Sequence, residues 1–264
     1  MNSLLHAATS KLTCFVTILA LSALPVFSAT YTVTSTDGGT DAGTIRWAVE
    51  QADANPGADI IDLTGISGTI AFSGWGGGIN AESEITFNGP GKDVLTIKGS
   101  DNNVTITLQS TANVTFNDLT LEVSNFRLTD VYSGAAIQSY NRCNLIKSLT
   151  SVNGMISVEY GVLNLTDCLV DGGSRASYPN ITAYSNSAIN ALRTTFANMY
   201  SNVNSGGAIY AENACNLNLT NCTFYNCRST GSGGVIYCNA SNFIATNCTF
   251  YGNQARYLGG AGEY

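Results

Sequence analysis

The chain has 264 residues, only 11% of them charged, and a formal net charge of −7. That charged fraction is under half the usual ~25%, and the acidic balance argues against nucleic acid and anionic membrane surfaces as partners. The only histidine is His6, and no two of the eight cysteines stand in a C-x-x-C pattern, which argues against a zinc site.

Lys11 closes a short polar stretch, and Leu12 to Phe27 are almost wholly apolar. That run is short for a membrane span, which needs about 20 apolar residues. It reads as a secretory signal over residues 1–28, with small Val26 and Ser28 before the cut. Cleavage after Ala29 fits nearly as well. Cys14 precedes the apolar core and is not placed to carry a lipid anchor. Loss of the signal removes Lys11, His6 and Cys14. Ten basic and eighteen acidic side chains then remain, a net charge near −8, with seven cysteines. Export makes disulfides available, and the odd count leaves at least one thiol unpaired or bound to another molecule. No later segment is long and apolar enough for a transmembrane helix.

Residues 29–80 read as an N-terminal cap with entry strands at Tyr31–Thr34 and Ile60–Leu63. Between them Ile45, Ala48, Val49 and Ala52 recur at i, i+3, i+4 and i+7, the period of an amphipathic helix. Asn55-Pro56-Gly57 ends it. Strands follow at Ile85–Phe87, Val94–Lys98, Val104–Leu108 and Val114–Val123, with a turn at Asn88-Gly89-Pro90-Gly91.

From there a repeat governs the chain. Gly206-Gly207-Ala208-Ile209-Tyr210 returns as Gly233-Gly234-Val235-Ile236-Tyr237, and Gly259-Gly260-Ala261 begins a third copy. Asn221-Cys222-Thr223-Phe224-Tyr225 returns as Asn247-Cys248-Thr249-Phe250-Tyr251. Leu163–Cys168 parallels Leu217–Cys222, and Thr194–Asn198 parallels Cys222–Asn226. Phe116-Asn117-Asp118-Leu119 has the same flavour. Within each copy the apolar period is two, the period of a strand. One such repeat cannot bury its apolar face, but stacked copies can. The reading is an all-β protein, a right-handed parallel β-helix with a short N-terminal capping helix. It predicts six to eight coils between Ile79 and the end, with residues 81–264 as the coil domain. The third Gly-Gly copy opens just before Tyr264, so the C-terminus reads as truncated, with an anchor or translocator missing; a partner covering the last edge is the alternative.

Two stretches, Gly43–Ile61 and Ile85–Gly91, resemble the N-terminal region of bacterial surface β-helix proteins. The Gly-Gly-Ala-Ile repeats and Phe250-x-x-Asn253 are similar to those of the chlamydial polymorphic outer membrane proteins. The match is imperfect: Val235 stands for alanine, and Asn226 and Asn198 come one position early. The resemblance implies an autotransporter-like, adhesin-like passenger at the outer membrane or cell surface, with a host or cell-surface protein or glycan as partner. The translocator barrel of that family is absent from the sequence.

Cys222 and Cys248 share a register and imply either a cross-coil disulfide or an inward ladder of small residues. Tyr210 should stack on Tyr237, and Tyr225 on Tyr251, as surface aromatic ladders able to hold sugar faces or protein. The Asn-x-Ser/Thr sites at Asn103, Asn164, Asn218 and Asn247 read as glycosylation sites or as stacked polar ladders. Asp167 and Asp171, with Glu159 or Asp130, could contribute to a calcium site, but two acids beside turn glycines commonly hold no metal. The reading assigns no catalytic residue, metal or cofactor. The alternative is a polysaccharide lyase or hydrolase of the pectate-lyase-like type. Against it, the exported chain has no close Asp–Asp pair, and its arginines, Arg127, Arg142, Arg175, Arg193, Arg228 and Arg256, show no repeat-matched cluster with acids.

Overall fold

A computed structural model describes residues 27–72, 78–99, 106–108, 112–123, 127–132, 136–148, 154–174, 178–203 and 205–263. Most of the 1–28 segment, Asn103 and Arg175 lie outside these residues, as does the side chain of Asp130.

The strands stack as a parallel β-solenoid of about seven turns. In each coil the chain visits three sheets in turn. The first sheet runs from Thr30–Thr32 and Asp59–Asp62 to Asn216–Thr220 and Asn242–Thr246. The second runs from Gly68–Ala71 to Thr249–Tyr251, and the third from Ile79–Ala81 to Gly262–Glu263. A short fourth ladder joins Tyr200–Ser201, Arg228–Ser229 and Gln254–Ala255 in the later coils. Pairing is parallel and in register, for example Phe196↔Phe224↔Phe250 and Ile209↔Ile236. The entry strands Thr30–Thr32 and Asp59–Asp62 belong to the same hydrogen-bonded sheet as the coils.

The predicted helix spans Ile45–Ala54 and buries Ile45, Ala48, Val49 and Ala52. Thr44 caps it, its hydroxyl accepting from the Trp47 N–H at 3.4 Å. The helix packs on Thr30–Thr32, Asp59–Asp62 and Ile79–Ala81 at the first coil. It thus covers apolar surface that an open coil would leave to water.

The Gly-Gly repeat has a steric cause. Gly206 takes φ +74°, a left-handed conformation open to glycine. At Gly207 a Cβ would lie 2.2 Å from the Gly234 carbonyl oxygen of the next coil, so no side chain fits. Ala208 and Ile209 then turn fully inward.

Two expectations need correction. Val114–Val123 is not one strand. It divides into Val114–Asn117 on the first sheet and Thr120–Val123 on the second, because Asp118 turns the corner at φ 55°. Phe116 also belongs to a different ladder from Phe196 and Phe224. It stacks between Phe87 and Tyr140 on the first sheet, with ring centroids 4.5 and 5.4 Å apart. The inward phase slips by one at this corner, from Val114 and Phe116 to Leu119, Leu121 and Val123, and a reading that follows period two without that slip runs the two strands together.

Candidate functional site

The outward face of the first sheet carries the most ordered polar surface. Thr115, Ser139, Asn164, Asn190 and Asn218 share one column across successive strands. The Asn218 amide donates to Asn190 at 3.0 Å, Asn190 to Asn164 at 2.9 Å, and Asn164 to the Ser139 hydroxyl at 3.1 Å. A neighbouring column repeats the device, with Asn141 donating to Asn117 and Asn117 to Asn88, each at 2.9 Å. A side-chain NH₂ has two protons and its carbonyl two lone pairs. Each ladder bond uses one of each, so every asparagine inside a ladder retains a donor and an acceptor that can serve a ligand. A groove of about 570 Å³ lies over these columns, lined by Asn141, Asn164, Asn190, Asn218, Ser139 and Thr220 among others. Among the described residues no ionisable side chain lines it.

The groove is flanked by the corner between the first and second sheets. Its residues Asp118, Arg142, Asp167, Arg193, Asn221 and Asn247 all take left-handed φ between 49° and 56°. Arg142 grips Asp118 through two bonds of 2.6 Å, and Arg193 grips Asp167 at 2.6 and 2.7 Å. The Arg193 hydrogen bond pulls the Asp167 carboxyl below the ordinary carboxylate range. Arginine is an uncommon left-handed residue, and here each arginine answers an aspartate one coil back. Asp167 is therefore committed to Arg193. Asp171 accepts from Asn198 at 3.2 Å and from the Gly173 N–H at 2.8 Å. Neither acid is arranged toward the other as the calcium set would need.

Just past this corner lies a column of small side chains that carry a donor. Cys143, Cys168, Thr194, Cys222 and Cys248 donate to the carbonyls of Phe116, Tyr140, Leu165, Ala191 and Leu219, at 3.2–3.5 Å. Cys222 and Cys248 thus stand in the expected register, as free thiols. The sequence repeats align four members of this column of five, Cys168, Thr194, Cys222 and Cys248, and Cys143 joins them through register. Threonine serving at position 194 shows what the column requires, a compact side chain that satisfies a corner carbonyl. Burial pushes the Cys143 thiol up to about 12 and Cys168 to about 11.

Both tyrosine pairs form. Tyr210 and Tyr237 stack at 5.3 Å and 15°, Tyr225 and Tyr251 at 5.4 Å and 9°. Rings stacked this way present edges and hydroxyls outward, so the faces between them are closed to a sugar. The pairs lie on different sheets, the third and the second. Tyr184 leans on Tyr210 at 6.1 Å and 51°. Tyr210 donates to Glu212 at 2.7 Å, and burial together with that acceptor raises its phenol. Glu159, Tyr184 and Glu212 share one column. The backbone positions of the two glutamates stand two strand spacings apart, about 10 Å. Sequence reading missed this pair, which is 53 residues apart and becomes visible only once coil lengths of 25 and 28 are known.

Two further arginines, Arg228 and Arg256, lie away from this corner. Arg228 covers the Tyr200 ring at 4.1 Å and Arg256 the Tyr257 ring at 5.5 Å. Of the glycosylation candidates, Asn164 and Asn218 stand in the ladder, and Asn247 donates to Asn221 at the exposed corner. Among the described residues no helix is long and apolar enough to cross a membrane.

No family model matches the chain, and no curated protein matches it. A solved structure, Geobacillus virus E2 ORF18, is similar at 12% identity and a TM-score of 0.38. The match covers 83% of this chain and 59% of that one, and at this TM-score it carries no argument about function.

Proposed function

We propose that the chain is an exported β-helix scaffold, displayed at the cell surface or outside it, and that it works by adhesin-like binding along its first sheet. The observation that carries the binding reading is the uncharged groove over the asparagine ladder. Its spare donors and acceptors recur once per coil, about 4.8 Å apart. They suit a ligand rich in hydroxyls and free of charge, a neutral glycan lying along the solenoid axis. A peptide partner would pair with a strand edge, and the ladder leaves none on this face. Export is supported by the apolar run from Leu12 to Phe27. The outer membrane, and the kinship with polymorphic outer membrane passengers, are supported by the Gly-Gly-Ala-Ile and Phe-x-x-Asn repeats.

The repeats themselves fit that kinship on physical grounds. Asn226 occupies the left-handed turn position, where the next coil has Gly252. Asn253 has moved one place on, donating to the Phe224 carbonyl at 3.1 Å and accepting from the Cys227 N–H at 2.9 Å. The early asparagines are thus a turn variant of the same corner.

Binding of the purified chain to a panel of neutral and charged polysaccharides tests the reading. Neutral glycans should bind, with little dependence on salt, because no charge is screened. The triple variant Asn164→Ala, Asn190→Ala, Asn218→Ala should lose that binding while keeping its circular dichroism spectrum. Undiminished binding by a folded triple variant would move the site elsewhere. Release of reducing ends, abolished by Glu159→Gln or Glu212→Gln, would favour the hydrolase reading. Exported material should begin at Ala29 or Thr30 on N-terminal sequencing, and recovery of Met1 would refute export.

A further inference from the structure

The seven cysteines sort by geometry. Cys143 and Cys168 are neighbours in adjacent coils, the Leu169 N–H donating to the Cys143 carbonyl at 3.0 Å. Cys222 and Cys248 repeat that relation, with the Thr249 N–H donating to the Cys222 carbonyl at 2.9 Å. Thr194 stands between the two pairs in the column, so neither pair has a third cysteine next to it. Residues paired in register on both sides of Cys222 and Cys248 fix their stacking: Thr220↔Thr246 before them and Thr223↔Thr249 after. Their Cα atoms are therefore about one strand spacing, ~4.8 Å, apart, inside the ~4.4–6.8 Å window for a disulfide.

Access separates the pairs. Cys143 and Cys168 are buried, at 0% and 4% exposure, whereas Cys248 is the one described cysteine that is not buried. Exchange begins at a sulfur that an oxidant can reach.

We propose that Cys222 and Cys248 are a redox-active pair that closes into a disulfide in the folded protein, clipping the coil of Asn242–Ala255 to the coil of Asn216–Ser229, while Cys143 and Cys168 remain thiols. The oxidant is a small disulfide such as oxidised glutathione. The Cys248 thiol loses its proton and attacks one glutathione sulfur. The glutathione S–S bond breaks, a Cys248–glutathione bond forms, and one glutathione leaves as thiolate. Cys222 then loses its proton and attacks the Cys248 sulfur, releasing the second glutathione. Two protein thiols are oxidised and one glutathione disulfide is reduced to two thiols. Closure removes two thiol donors from the Ala191 and Leu219 carbonyls. The pair's geometry does not depend on export. Its oxidation in the cell rests on the exported reading, because a reducing compartment would keep it open.

The full chain, reduced and then freed of reductant, is incubated folded with oxidised glutathione, alkylated under denaturation and digested without reduction. The expected result is a Cys222–Cys248 cross-linked peptide, with Cys143 and Cys168 recovered alkylated. Cys222→Ser should stop at a glutathione adduct on Cys248. Cys248→Ser should leave Cys222 reduced. Serine keeps the corner donor as Thr194 does, so both variants should fold, and circular dichroism checks this. A folded wild type that keeps both thiols, or that oxidises Cys143–Cys168 as readily, overturns the proposal. An intermolecular Cys248 dimer in place of the internal bond does so too. The in vitro arm stands even if N-terminal sequencing refutes export, so the two ideas fail separately.

Discussion

The earlier and later coils fill the same core by opposite means. In the earlier coils the rings come from the first sheet, as Phe87, Phe116 and Tyr140 stacked 4.5 and 5.4 Å apart. The second sheet there supplies Ile97, Leu121 and Leu145, all fully buried. In the later coils the rings come from the second sheet, as Phe196, Phe224 and Phe250 stacked 4.5 and 4.9 Å apart. The first sheet then shrinks to Ala191, Leu219 and Ala245 in the column that held the rings. One coil between the two regimes has Leu165 and Val170 and no ring in either column. The two columns share the interior volume, and no described coil carries a ring in both. That follows from close packing, where an added ring needs matching space.

The largest effects should come from the rings themselves. Phe224→Ala and Phe116→Ala remove buried, two-sided stacks, and each should cost about 3–5 kcal/mol. Phe250→Ala should cost less, since Phe250 is only partly buried and stacks on one described ring. In a solenoid each loss falls on one coil and its neighbours. Thr223→Ala, on the outward phase, should stay within about 0.5 kcal/mol. Hydrogen exchange resolved by coil measures all four. A damaging Thr223→Ala with a harmless Phe224→Ala would invert the strand phase.

Next comes Lys147, 2% exposed at the end of Asn144–Lys147. Burial pushes its amine down to about 8. The folded value lies below the unfolded one of about 10.4, so the unfolded chain binds the extra proton between them. Stability therefore rises as pH climbs from about 8 to about 10.4, and the penalty, roughly 3 kcal/mol at 1.36 per unit, is full below 8. The stability difference between wild type and Lys147→Met should shift in favour of wild type over that window and be flat from pH 6 to 7.5. Urea unfolding at stepped pH reads it, and a flat difference throughout would refute a desolvated amine.

The corner ion pairs should matter little. Arg142→Ala should cost no more than about 1 kcal/mol, as exposed pairs do, and the cost should shrink in high salt. A large, salt-independent cost would show that the pair sets the left-handed corner.

The later coils were legible in the sequence because ring, corner donor and Gly-Gly turn recur together there. Stacked Phe224 and Phe250, Tyr210 and Tyr237, and the capping helix at Ile45–Ala54 all follow from spacing. The earlier coils were faint for the reason the comparison gives: moving the rings to the other sheet keeps the volume and erases the repeat. Phe116 was consequently grouped with the wrong ladder. The asparagine groove was half legible. Asn164 and Asn218 stood out as repeated Asn-x-Thr, but Ser139 and Asn190 join them only through register. Arg142 and Arg193 looked scattered because their partners, Asp118 and Asp167, lie 24 and 26 residues back.

The volume rule is tested most directly by moving a ring's space within one coil. Ala191 and Phe196 stand where the crossover coil has Leu165 and Val170. Ala191→Leu alone should overpack and cost about 1–3 kcal/mol, and Phe196→Val alone should leave a cavity and destabilise the fold. The double variant recreates the crossover coil. Urea unfolding of the four proteins should therefore show the double variant markedly more stable than the sum of the two losses, with a coupling of at least about 1 kcal/mol. Strictly additive losses would mean that the two columns do not share one interior, and would contradict the account.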